Sequence, residues 1–178
     1  MVRKRLPLLC TSFALITACH SPPPPAPAAT GAVGGAPTAS APGPNEATEL
    51  VYIPIYSSIF TTDAARKVDL TVTLAVRNTD SLRAITLRSV RYFDANGKAL
   101  QAYVAAPSLI APMAAYTVVI PETDTRAGVA GSFLVEWSSA EAVSAPVIEA
   151  VMIGVRGQQG ISFLSHGRVL RPASRSTP

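Results

Sequence analysis

Cysteine is nearly absent from this chain, and its two residues, Cys10 and Cys19, both fall within the first nineteen positions. A domain built from the remainder has no disulfide, no thiol and no sulfur ligand for a metal. Histidine is equally scarce, so His166 is the only imidazole beyond position 20. Long apolar runs are missing too. The longest, Leu6 to Ala18, is thirteen residues and contains Pro7, whereas a membrane span needs roughly 20. No later segment approaches that length without charges, so the exported part is expected to be soluble. No stretch carries a helical period over three turns. Its stability must therefore come from an apolar core assembled by strands.

The N-terminus is organised as a secretory signal. Arg3, Lys4 and Arg5 precede the short apolar stretch, and Ile16-Thr17-Ala18-Cys19 closes it. This resembles a bacterial lipoprotein signal. The resemblance implies that residues 1–18 are removed and that Cys19 is lipidated and becomes the mature N-terminus. A single acyl chain holds a protein only marginally, whereas two or three anchor it durably. The expected location is the cell envelope, lipid-anchored. In a host with two membranes, His20 carries no inner-membrane retention signal, which favours the outer membrane facing the periplasm. Loss of Arg3, Lys4 and Arg5 lowers the formal charge from +4 to +1. With Arg66-Lys67 the only adjacent basic pair remaining, no nucleic-acid partner is expected, and the basic residues read as solvated surface.

Residues 19–47 read as the lipidated cysteine and a disordered linker of Pro, Ala, Gly and Ser. Such a tract cannot bury enough surface to offset its ordering entropy. It spans roughly 30 Å as a coil and up to ~85 Å extended. A proline-rich ligand is the alternative, but a spacer needs only length and solubility.

From Glu49 the pattern changes to period two. Leu70, Val72, Leu74 and Val76 share one face of a strand, and Asp69, Thr71, Thr73 and Arg77 share the other. Asn78 to Ser81 form a turn. The next strand, Ile85–Phe93, changes parity near Arg88-Ser89, which predicts a bulge. Asn96-Gly97 is a hairpin signal, with Lys98–Val104 as the return strand. Further strands are expected at Ala115–Ile120, at Gly131–Ser138 with Phe133, Val135 and Trp137 inward, at Val147–Gly154 and Gly160–Leu164, and briefly at Arg168–Leu170. Leu50–Ser57 reads as an edge strand because Pro54 cannot donate to a ladder. The expectation is an all-β, immunoglobulin-like antiparallel β-sandwich of about seven to eight strands over residues 48–171. A disordered tail follows at 172–178.

Val51-Tyr52-Ile53-Pro54-Ile55-Tyr56-Ser57, Val76-Arg77-Asn78-Thr79-Asp80, Phe133-Leu134-Val135-Glu136-Trp137, Glu149-Ala150-Val151-Met152-Ile153-Gly154 and Gly157-Gln158-Gln159-Gly160-Ile161-Ser162-Phe163 together resemble the bacterial domain of unknown function 3124 family. The resemblance covers Val51 to Leu170. It implies a single exported domain and brings no activity, substrate or catalytic residue.

Gly157, Gln158, Gln159 and Gly160 form the most specific candidate site. Glycines permit unusual dihedrals and the amides both donate and accept. With Ser162 and a Tyr52/Tyr56 edge, they form the proposed contact region; the plainer reading is a strand connection. No lysine and following helix complete a phosphate loop. Glu149 shares parity with Val147, Val151 and Ile153. If that face is the core, it needs a cation such as Arg77, Arg91 or Arg156; otherwise it is exposed or belongs to an ion pair that sets register. Ser162, Ser165, His166 and Asp124 would need the fold to assemble them, and no nucleophile motif supports that. Asp94-Ala95-Asn96-Gly97 lacks the remaining ligands of a calcium loop. Neither a metal nor a cofactor is expected. The functional expectation is a non-catalytic module binding or scaffolding another envelope component. The alternatives are a small-ligand or glycan module using Gln158, Gln159, Tyr52 and Trp137, and lastly a hydrolase. Radiolabelled palmitate should appear on the wild-type chain and be absent from Cys19→Ala; label on both would refute lipidation at Cys19.

Overall fold

A computed structural model of the chain describes residues 46–174. The expected signal segment, Cys19 and most of the expected linker lie outside the described residues. Twelve strands follow in order: β1 (Ala47–Ile55), β2 (Ser58–Phe60), β3 (Lys67–Asp69), β4 (Thr71–Arg77), β5 (Ile85–Phe93), β6 (Ala99–Ala102), β7 (Ser108–Ile110), β8 (Ala115–Ile120), β9 (Gly131–Ser139), β10 (Val147–Arg156), β11 (Gln159–His166) and β12 (Arg168–Ser174). The expected all-β class holds, but the strand number does not. The twelve form three sheets, ordered β12-β1-β9-β5-β6 with β7 also on β5, β11-β10-β4-β8, and the ribbon β2-β3. The added strands are mostly three-residue pieces, too short to carry an alternating pattern.

The inner faces of the two larger sheets contribute to one apolar core. Val51, Ile53 and Ile55 of β1, Leu87, Val90 and Tyr92 of β5, and Phe133, Val135 and Trp137 of β9 come from the first sheet. Val72, Leu74 and Val76 of β4 and Ile148, Ala150 and Met152 of β10 come from the second. Burying each such aliphatic side chain contributes about 1.5–3 kcal/mol. Trp137 also directs its indole N–H to Glu49 Oε1 at 3.1 Å, so its polar edge stays satisfied.

β1 is not an edge strand. It pairs with β9 along its whole length and with β12 on the other side. Pro54 is tolerated because it lies beyond the last β12 partner, Tyr52↔Arg168. There its carbonyl accepts from Ser165 Oγ. The C-terminal tail is also shorter than expected, since β12 runs through Ser174 and crosses Pro172. As an edge strand with register shifts against β1, β12 can accommodate that proline.

The bulge at Arg88 is present. Leu87 pairs with Trp137 and Ser89 with Glu136, leaving Arg88 as the extra residue. The kink turns Arg88 onto Ser138 Oγ at 2.8 Å and onto the carboxylate of Glu46, where the described chain begins. The hairpin at Asp94 differs from a two-residue Asn-Gly turn. Asp94 and Lys98 close it, and only Gly97 has positive φ, at 78°. That is a three-residue loop ending in a left-handed glycine. Asp94 Oδ1 accepts from the N–H groups of Asn96 and Lys98, both at 2.9 Å.

The turn after β4 forms a polar hub. The buried Asn78 amide donates to the carbonyls of Arg83 at 2.8 Å, Ile110 at 3.1 Å and Ala111 at 3.0 Å. Asp80 accepts from the N–H groups of Leu82 and Arg83 at 2.9 Å and of Ser144 at 3.2 Å. Those backbone donors, Leu82 first, hold its carboxyl below the ordinary 3.8. Asn78→Ala should therefore lower unfolding stability by about 2 to 3 kcal/mol, through three orphaned carbonyls; urea denaturation measures it. Because the native pKa of Asp80 is depressed, its contribution is present above pH 3.8 and lost as pH falls through the lowered native value. The acid limb of the urea midpoint should flatten in Asp80→Asn.

Candidate functional site

Of the residues singled out in the sequence, Gly157 to Gly160 fall together at one hairpin end of the domain. β10 and β11 pair without a register break from Glu149↔His166 to Arg156↔Gln159. Gly157-Gln158 is therefore a two-residue hairpin turn. Gly157 has φ 59°, while Gln158 is not left-handed. Glycine at the first central position with an ordinary second residue is the type II′ pattern that suits strand twist. The space around Gly157 is open, so it is the backbone angle and not crowding that favours glycine. Gly160 sits in β11 opposite Val155 without positive φ, so the second glycine plays no such role. Gln158 and Gln159 are exposed, and among the described residues neither amide has a hydrogen-bond partner.

Tyr52 and Tyr56 do not form an exposed edge with this tip. Tyr52 is half-buried within β1, between Leu134 of β9 and Arg168 of β12. Tyr56 is half-buried against the core, its ring edge-on to Phe163 at 5.7 Å. Ser162 is exposed on the outer face of β11, opposite Ile153. Trp137 is 4% exposed and offers no open ring to a glycan.

Beside the tip lies a groove of about 480 Å³ that sequence reading missed. It is lined by Thr61, Thr62, Arg66, Lys67, Val68, Arg156, Gln159 and Ile161. The β2-β3 ribbon supplies one wall. Its connection is set by Thr61 N–H donating to Arg66 O at 3.0 Å, and by Asp63 Oδ1 accepting from the N–H groups of Ala65 and Arg66 at 2.9 Å. The β10-β11 hairpin supplies the other wall. Arg156 reaches across and donates from Nη2 to the carbonyl of Lys67. Lys67 Nζ lies 5.0 Å from the Phe60 ring centroid. Arg66-Lys67 was visible as a basic pair, but Arg156 is 89 positions from Lys67. Only the fold brings them together.

Glu149 resolves differently from a buried charge. The core face of β10 is Ile148, Ala150 and Met152, so Glu149 lies on the outer face. It pairs with Arg77 of β4, and His166 Nδ1 lies 3.9 Å from its other oxygen. His166 is the last residue of β11 and not a loop residue. Asp124 is held instead by Arg126, at 2.8 and 2.7 Å, which keeps its carboxyl below the ordinary range. Ser165 donates to Pro54 O. Ser165, His166 and Asp124 thus face different partners, and Ser162 is exposed. Among the described residues, no group of three or more His, Cys, Asp or Glu side chains could hold a metal.

A family profile described as "Protein of unknown function (DUF3124)" matches residues 48–170. Comparison with curated proteins gives no match. One solved structure, described as "Crystal Structure of Thermotoga maritima 1070", aligns over 71% of this chain and 97% of its own, with 11% identity and a TM-score of 0.45. Gly157→Ala should lower stability by about 1–2 kcal/mol, because an L-residue is forced to positive φ. An unchanged urea midpoint would contradict the turn assignment.

Proposed function

The chain belongs to the DUF3124 family, and we propose that it acts as a non-catalytic binding module held at the cell envelope by a lipid on Cys19. In this reading the two larger sheets form an immunoglobulin-like framework, and the β10-β11 tip is its contact end. The observation that carries the proposal is the pair of exposed amides, Gln158 and Gln159, without a hydrogen-bond partner among the described residues, on a type II′ hairpin. A short hairpin between long paired strands presents its tip at little entropic cost on binding. Exposed amides that no intramolecular bond requires are available to a partner's backbone or polar groups.

The domain's two ends support the same assignment. The chain enters at Glu46 beside Ser138. The tip lies at the end where Leu70 N–H donates to Ser57 O and Arg156 reaches Lys67 O. A nine-residue strand such as β1 separates these ends by about 30 Å. In this reading the linker joins the domain at the end opposite the tip. The alternative is a small-ligand module, which the groove beside Gln159 favours. A thermal-shift panel of cell-wall fragments and metabolites separates the readings, since a bound ligand raises apparent stability.

Crosslinking in the native envelope, followed by mass spectrometry, should recover a dominant protein partner with wild type and lose it with Gln158→Ala/Gln159→Ala. Both side chains are exposed, so the double variant should keep its thermal midpoint. Capture that persists in a folded double variant, or unfolding of that variant, would overturn the assignment.

A further inference from the structure

The groove beside the tip has three cations among its lining residues and no carboxylate. A cleft of similar volume at the opposite end, about 480 Å³, is the informative contrast. There Arg88 is paired with Glu46, and Arg83 with Glu141 at 2.6 Å. In the groove, the nearest acid to Arg66 is Asp63 at 4.0 Å, with the two side chains 78% and 53% exposed. Such a pair contributes little, and Asp63 Oδ1 is already engaged by two backbone N–H groups. Arg156 is pre-oriented, because its Nη2 donates to Lys67 O, and it lines the groove. Thr62 and Gln159 add neutral donors, while the Thr61 hydroxyl donates to Arg66 O at 3.4 Å, and Val68 and Ile161 supply apolar lining.

We infer that this groove binds a phosphate ester. Arg66 and Arg156 match phosphate oxygens as planar forks, Lys67 acts as a point charge, and Gln159 and the Thr62 hydroxyl donate to the remaining oxygens. A carboxylate, with two oxygens and a single charge, would leave much of this donor set unused. The apolar lining takes the organic part of the ester. The inference rests on the tip being the binding end, and it adds a ligand class for the groove beside it. The shared chemistry could come from a lipid headgroup or from a soluble phosphate ester.

The test uses the full chain carrying Cys19→Ala, so that a lipid anchor plays no part. Inorganic phosphate, compared with sodium chloride at equal ionic strength, should raise the thermal midpoint. Arg156→Gln/Lys67→Gln should weaken that response at least tenfold, and Arg156→Lys should fall between, having charge without the fork. Sedimentation with phosphatidylglycerol vesicles and not with phosphatidylcholine vesicles, lost in the same double variant, would assign the ligand to a lipid headgroup. A response to inorganic phosphate without vesicle preference would assign it to a soluble ester. No phosphate response together with no vesicle preference would overturn the inference, as would undiminished binding in the folded double variant. Should that variant unfold, exposed Arg66→Gln gives the same decision. Partner capture that survives Arg156→Gln/Lys67→Gln but not Gln158→Ala/Gln159→Ala would separate the groove from the tip.

Discussion

Apolar contact between the inner faces of the two larger sheets is what the rest of the domain depends on. With no cysteine beyond position 19, no covalent bridge can hold one sheet to the other. The core works only if each strand keeps its register, because a one-residue slip turns every buried side chain outward. Several local features serve that requirement. Gly97 closes β5 onto β6 with a left-handed backbone. The extra residue at Arg88 restores the inward parity of Val90 and Tyr92 after Leu87. The Asn78 amide ties the end of β4 to the carbonyls after Asp80 and β7.

The two ends of the domain use polar groups in opposite ways. At the end where the described chain begins, charge and hydrogen-bonding capacity are consumed internally. Arg88, Glu46 and Ser138 engage one another, and Asp80 accepts three backbone N–H groups. At the other end, Arg66, Lys67, Arg156 and Gln159 surround a groove that no acid lines. One end is thus internally satisfied, while the other leaves its cations without a lining acid.

Much of the framework was legible because alternation records burial directly. Leu70 to Arg77 and Gly131 to Ser138 alternate cleanly, and both became strands with the expected inward residues. The bulge was legible from the parity change alone. The short pieces β2, β3 and β7 were not, since three residues carry no period. Pro54 misdirected β1 to an edge because the sequence does not tell where the neighbouring strand stops. The Gly157 to Gly160 tract stood out by composition, and in the structure it is a strand connection, the plainer of its two readings. The cations beside it were hidden, because Arg156 and Lys67 meet only through the pairing of β10 with β4 and the chain reversal between β2 and β4. Glu149 was ambiguous for a related reason: both faces of β10 carry branched aliphatics, so parity alone did not mark the inner one.

The placement of β1 has a mechanical consequence. It is the first strand after the linker, and it lies between β9 and β12. Antiparallel ladder bonds run perpendicular to the strands. A pull between an N-terminal anchor and a partner at the distal tip would run nearly along β1. The load would fall on both ladders in shear, so many bonds would have to yield together and not one after another. Under the proposed anchorage, a domain of this topology would stay folded under tension applied along β1.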